Sequence, residues 1–170
     1  MTSLPISPAG PITPYLWFDG QAEEAAELYT SLFADSAIDH VSRYTETGRE
    51  IHGREPGSAM TVSFHLAGQP FVGLNGGPQF PFTEAVSFMV TCETQVELDA
   101  LWDRLAEGGD ASAQQCGWLK DRFGLSWQVV PSGLFRLIGD PDPARAARAT
   151  EAMLRMKKID LAELERAAAG

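Results

Sequence analysis

Along this chain the spacing of apolar residues switches between a helical and a strand period, and it does so twice in the same order. Ile12 to Phe18 form an apolar and aromatic run that ends at the breaker pair Asp19-Gly20, which predicts a strand. From Gln21 to Phe33, Ala22, Ala25, Ala26, Leu28, Tyr29, Leu32 and Phe33 recur at three- and four-residue spacing with Glu23, Glu24 and Glu27 between them, the pattern of an amphipathic helix. The period then drops to two, predicting strands over Ile38 to Thr45, Ala59 to Leu66 and Pro70 to Asn75, the last two joined by a hairpin at Ala67-Gly68-Gln69. Residues 46–58, with four glycines or prolines among polar side chains, read as a surface loop.

The second pass begins with a strand over Ala85 to Cys92. A helix follows from Gln95 to Glu107, stopped by Gly108-Gly109, with Val96, Leu98, Leu101, Trp102 and Leu105 as its buried stripe. Thr94 is its expected N-cap, and Glu97 three residues on completes a capping box. A weak strand near Ala111 to Gln115 and firmer ones over Trp118 to Arg122 and Ser126 to Val130 close the copy. Beyond it, Pro141-Asp142-Pro143 opens a helix with Ala144, Ala147, Met153, Leu154 and Met156 on an apolar face, and Asp160 caps a second over Leu161 to Ala168. This pair covers the chain's own core or packs across a dimer, the first being the simpler arrangement.

The expected architecture is therefore α+β. Two βαβββ modules, 12–75 and 84–131, and a helical extension, 132–170, form one domain with the ligand site between the modules. With 170 residues, 44% of them hydrophobic, the chain can bury a full core without a covalent staple. A net charge of −10 argues against a nucleic-acid backbone or an anionic membrane as partner, since both reward clustered Lys and Arg. Residues 1–11 hold three prolines and no basic side chain, unlike a secretory or transit leader, and no run reaches membrane-spanning length, so a cytoplasmic location is expected.

Few residues offer chemistry. Cys92 ends a strand and reads as a small buried hydrophobe, whereas Cys116, in Gln-Gln-Cys-Gly-Trp, is a candidate thiol nucleophile with no His nearby in sequence. His40 reads as an edge residue and His52 as an exposed loop residue. On Met60 to Leu66, Met60, Val62, Phe64 and Leu66 point one way and Thr61, Ser63 and His65 the other, so His65 faces either solvent or a polar cavity. Gly73 to Pro78 is glycine-rich but leads into Gln79-Phe80-Pro81-Phe82 and not a helix, so it cannot cradle a phosphate. It reads as a mobile rim with Phe80 and Phe82 as lid aromatics.

Several segments resemble the PhnB-like family, also called 3-demethylubiquinone-9 3-methyltransferase domains, of the vicinal oxygen chelate (glyoxalase/bleomycin-resistance) superfamily. They are Pro14-Tyr15-Leu16-Trp17-Phe18-Asp19-Gly20-Gln21-Ala22-Glu23-Glu24-Ala25, Leu74-Asn75-Gly76-Gly77-Pro78, Ala85-Val86-Ser87-Phe88, Cys116-Gly117-Trp118-Leu119-Lys120-Asp121-Arg122-Phe123-Gly124 and Ser126 to Pro131. The tail around Met153-Leu154-Arg155-Met156-Lys157-Lys158 is similar to the family's C-terminal extension. The resemblance implies βαβββ modules whose sheets curl into a cup, commonly in a homodimer, with a small molecule inside. It also implies metal positions at the ends of the first and last strands of each module, which fall near Thr13, Asn75, Ala85 and Gln128. None of these is a good ligand for a transition metal, so no cofactor is expected.

Laid on that fold, strand alternation lines the cup with Tyr15, Trp17, Ser87 and Met89, and adds Asn75, Gln128 and His65 as polar anchors. Two functions follow: metal-free binding of a small aromatic or polar molecule, or an enzyme. The enzyme is a glyoxalase-like lyase or isomerase, or the methyltransferase of the family's name, with His65, Cys116 or an inward-turned Glu84 as base. Nothing in the chain supplies the glycine-rich first turn of the common S-adenosylmethionine-binding sheet.

Overall fold

A computed structural model describes residues 12–170. The chain divides into two compact units, one ending at Pro81 and the other running from Phe82 to Gly170.

In the first unit the order is β1 (Tyr15–Phe18), α1 (Ala22–Leu32), β2 (Ala37–Arg43), α2 (Arg49–His52), β3 (Ala59–Leu66) and β4 (Gln69–Asn75). The sheet runs β1-β4-β3-β2, with β1 parallel to β4 and the other pairs antiparallel. A parallel neighbour for β1 requires a crossover, and α1 begins it. Leu16, Phe18, Val62, Phe64 and Phe71 bury one face of the sheet, and Ala22, Ala25, Ala26, Leu28 and Tyr29 of α1 are buried as well. The helix rides low over β4, because a Cβ on Gly73 would lie 3.0 Å from that of Ala22. A side chain there would push α1 off the sheet. The β3–β4 hairpin closes at Ala67 and Gly68, with φ of 47° and 76°, the positive values that a two-residue turn of the right twist needs. Strand β1 begins three residues later than expected, and the 46–58 segment holds the short helix α2.

The second unit contains β5 (Phe88–Cys92), α3 (Gln95–Ala106), β6 (Trp118–Lys120), β7 (Ser126–Pro131), α4 (Leu134–Ile138), α5 (Pro143–Leu154) and α6 (Leu161–Ala169). Its sheet has three strands in the order β5-β7-β6. The expected strand at Ala111 to Gln115 is instead a 3-10 turn over Ala111–Ala113. Asp110 accepts hydrogen bonds from both the backbone N–H and the hydroxyl of Ser112 there, which gives the backbone a local alternative to a ladder. The capping box on α3 forms as expected: the Thr94 hydroxyl takes the Glu97 N–H, and the Glu97 carboxylate takes the Thr94 N–H. Leu98, Trp102 and Leu105 are buried on α3, but Val96 is 78% exposed. The caps Asp142 and Asp160 are in place. Helix α5, however, buries Ala149 and leaves Ala144, Ala147 and Leu154 exposed, so it is rotated from the expected face. Helix α4, between Gly133 and Gly139, was not expected.

A buried carboxylate organises the β6–β7 connection. Asp121, 2% exposed, accepts the N–H groups of Phe123 and Leu125 on one oxygen and the Trp127 indole N–H on the other, all within 3.0 Å. Three donors to one ionised group replace the water it has lost.

Candidate functional site

Among the described residues, each unit leaves one sheet face without its own helix. In the first, the parallel register sets Tyr15 beside Val72 and Trp17 beside Leu74, and the antiparallel register continues those rows to Ser63 and Thr61 of β3. Tyr15 is 67% exposed. Trp17 is held from two sides: its indole N–H donates to the Gly77 carbonyl at 2.7 Å, and Phe80 meets its ring edge-on at 4.9 Å between centroids. Gly76 lies against that ring with no room for a side chain. The sequence expectation of a glycine-rich rim carrying Phe80 thus acquires a contact, since the rim braces Trp17.

His65 occupies the same face, one row further along. Its Nδ1 lies 3.0 Å from Asp39 of β2, a contact the sequence did not suggest. Asp39 is the extra residue of a bulge, because Ile38 pairs with Phe64 and His40 with Ser63. Such an insertion re-aims a side chain in a way that strict alternation cannot anticipate.

Asn75 does not join this group. It pairs with Phe18 on the α1 side of the sheet, is 4% exposed, and uses both ends of its amide internally. Oδ1 accepts the Ala22 N–H at 2.9 Å and Nδ2 donates to the Ala59 carbonyl at 3.0 Å. Asn75 thus clamps the start of α1 to the sheet, and it lines a cavity on that side. Both alternating sets on β4 are apolar enough to be core, so the sequence did not choose between them.

In the second unit, Met89 pairs with Gln128, which pairs in turn with Trp118. Gln128 donates through Nε2 to the Ser87 hydroxyl at 2.8 Å, and Met89 is 50% exposed. Ser87, Met89 and Gln128 therefore come together as expected. Cys116 sits in a tight turn at φ 53°, beside a cavity of ≈ 400 Å³ lined also by Glu84, Gln115 and Trp118. Glu84 is tied to Lys120 at 2.5 Å. That hydrogen bond holds its carboxyl below the usual range, which makes it a poor proton acceptor. Burial pushes the Cys92 thiol up, as befits an inert core cysteine.

The positions that the superfamily pattern assigns to a metal do not fit one. Asn75 is a neutral amide with both ends already bonded within the protein, Gln128 is bonded to Ser87, Ala85 has no donor atom, and Thr13 offers a neutral hydroxyl. Among the described residues no three His, Cys, Asp or Glu side chains converge as a ligand set.

A strand-helix-strand-strand-strand unit followed by a shortened copy of itself is the vicinal oxygen chelate fold, the α+β class of the glyoxalase and bleomycin-resistance domains. Within that class the chain belongs to the family described as 3-demethylubiquinone-9 3-methyltransferase, whose model matches residues 10–130. It is similar to a solved structure from Bacillus cereus described as a putative 3-demethylubiquinone-9 3-methyltransferase, PhnB protein. The two are 38% identical over 72% of this chain and 100% of that one, with a TM-score of 0.63. The protein PA1353 from Pseudomonas aeruginosa, 21% identical over 72% of this chain and 98% of its own, shares the fold with a TM-score of 0.55. No curated protein matches the chain. No helix among the described residues is long and apolar enough to cross a membrane.

Proposed function

We propose that this protein binds a small aromatic or polar organic molecule on the open face of its first sheet, without a metal, and that it works as a homodimer. The observation that carries the reading is the side-by-side placement of Tyr15 and Trp17 on an uncovered face, one largely exposed and the other fixed by Gly77 and Phe80. An ordered aromatic surface loses little side-chain freedom when a planar ligand stacks on it. Ser87 and Gln128, hydrogen-bonded to each other, give the second unit's own sheet a separate polar face. The homodimer is supported by family resemblance. The methyl-transfer label gains no support from the loop at Gly73 to Pro78, which opens no helix.

A native mass spectrum of the full chain, purified without chelators, tests this directly. A metal-free dimer carrying an organic adduct is expected, and a stoichiometric transition-metal adduct would overturn the reading. Tyr15→Ala should then weaken the recovered ligand by about tenfold without changing the fold. A second reading, an enzyme of the glyoxalase-like class, is favoured by one observation, the contact of His65 Nδ1 with Asp39, which would fix the ring as a general base. His65→Ala separates the two: it abolishes turnover if His65 is that base and leaves binding intact if it is not.

A further inference from the structure

A second cavity lies in the first unit, on the side of the sheet where α1 starts. It measures ≈ 310 Å³, and its wall includes Glu23, Arg43, Tyr44, Arg54 and Ser58. Two guanidinium groups at one cavity stand out in a chain with 13 basic and 23 acidic residues. Arg43 is well engaged, donating to the Gly57 carbonyl at 3.1 Å and to Glu23 at 3.0 Å. Arg54 is not. Its side chain is 27% exposed, yet its ion pair is a single long contact, Nη2 to Asp19 at 3.3 Å. A guanidinium carries five donors in a fixed fork, and most of this one's capacity is unspent.

The acidic side chains narrow the ligand. A simple anion drawn to Arg54 and Arg43 would also meet Asp19 and Glu23, and a simple cation would meet the two arginines. A molecule carrying both signs within a few bonds answers both pairs and leaves the cavity neutral. Tyr44 completes the wall: its hydroxyl donates to the Asn75 carbonyl at 2.8 Å, which leaves its oxygen free to accept, and its ring packs on His52 at 4.6 Å.

We propose that this cavity binds a small zwitterion of the α-amino acid type, its carboxylate on the Arg54 fork and its ammonium on Glu23. The site is independent of the aromatic face, but a readout connects them. The Arg54 guanidinium passes against Gly77, where an added Cβ would lie 2.5 Å from Nη2, and the Gly77 carbonyl is the acceptor for the Trp17 indole. Seating a carboxylate on Arg54 should therefore change Trp17 fluorescence.

The test is a titration of the full chain with glycine and L-alanine, and with acetate and methylammonium as half-ligands, followed by calorimetry and tryptophan emission. The amino acids should bind at least about tenfold more tightly than either half-ligand, and Arg54→Gln and Glu23→Gln should each lose about tenfold. Tyr15→Ala should leave this binding unchanged, so failure of the aromatic-face reading and failure of this one give different results. Thermal unfolding of each variant confirms that it is folded. The proposal is overturned if acetate binds as well as glycine, if both charge variants bind normally, or if neither amino acid binds.

Discussion

The two units solve one local problem in different ways. Each has a tight turn of two residues with positive φ, Ala67-Gly68 in the first and Cys116-Gly117 in the second, and in each the two turn N–H groups are taken by another segment. In the first unit that segment is a near neighbour: the Ala67 N–H reaches the Ser36 hydroxyl and the Gly68 N–H the Asp35 carbonyl, just ahead of β2. In the second, the place of β2 is held by the 3-10 turn, and the Cys116 and Gly117 N–H groups donate instead to the carbonyls of Met156 and Lys157 in the tail, both at 2.8 Å. A duplicated plan has kept its hydrogen bonds while changing who supplies them. The tail is thus part of the second unit's architecture, further fastened where Gln95 donates to the Ile159 carbonyl and accepts the Leu161 N–H.

The most severe way to break that comparison is to delete residues 156–170. The deletion removes the two carbonyls and also Ile159, Leu164 and Ala168, all 0% exposed. Hydrogen exchange should show protection lost over β6, β7 and α3, with the first unit's sheet as the internal reference.

A pair of single substitutions sharpens it. Each unit buries a polar side chain that ties strands to a loop or helix, an amide at Asn75 in the first and, beside the buried Ser126, a carboxylate at Asp121 in the second. Asp121→Ala strands three donors and should cost about 3 kcal/mol or more, whereas Asn75→Ala strands one donor and one acceptor and should cost about 2 kcal/mol. Urea denaturation of both variants ranks them, and equal losses would mean that charge adds nothing in the second unit.

The smallest effect concerns pH. Lys158 of the tail sits 2.9 Å from Asp99 and 3.6 Å from Asp103 on α3. Its hydrogen bond, joined by one from Gln95, holds the Asp99 carboxyl below its ordinary value, and the same contact raises the Lys158 ammonium. Asp99 therefore contributes stability above its ordinary value of 3.8 and loses it as pH falls through the lower folded value. Both groups are partly exposed, so Lys158→Met should cost less than about 1 kcal/mol near neutrality and vanish in acid, measured as thermal midpoint against pH.

The sequence was most readable where the cause is local. The capping box at Thr94, the helix starts at Asp142 and Asp160, and the hairpin at Ala67-Gly68 each rest on a few adjacent residues, and each forms as expected. Pairs across strands were partly readable. Ser87 and Gln128 meet because simple alternation and a parallel register place them on one face. Asn75 went to the opposite face because Val72 and Leu74 are as apolar as Phe71, and only pairing with Phe18 decides between them. The Asp39 contact to His65 depends on a bulge, the role of Asp121 on a turn that returns Trp127 to it, and the Arg54 cavity on the path of a loop read only as surface. Each of these is set by register or long-range closure, which the period of a sequence does not record.

The origin of the partners for the Cys116-Gly117 turn also bears on how the protein is made. When Asn75 has emerged from the ribosome, the first sheet has all four of its strands among the described residues. The second cannot close its turn at Pro131, because Met156 and Lys157 have not yet been synthesised. On a nascent chain the first unit has all its parts early, while the Cys116-Gly117 turn ahead of β6 waits for its two acceptors for some two dozen further residues, an interval in which a holding chaperone would find its substrate.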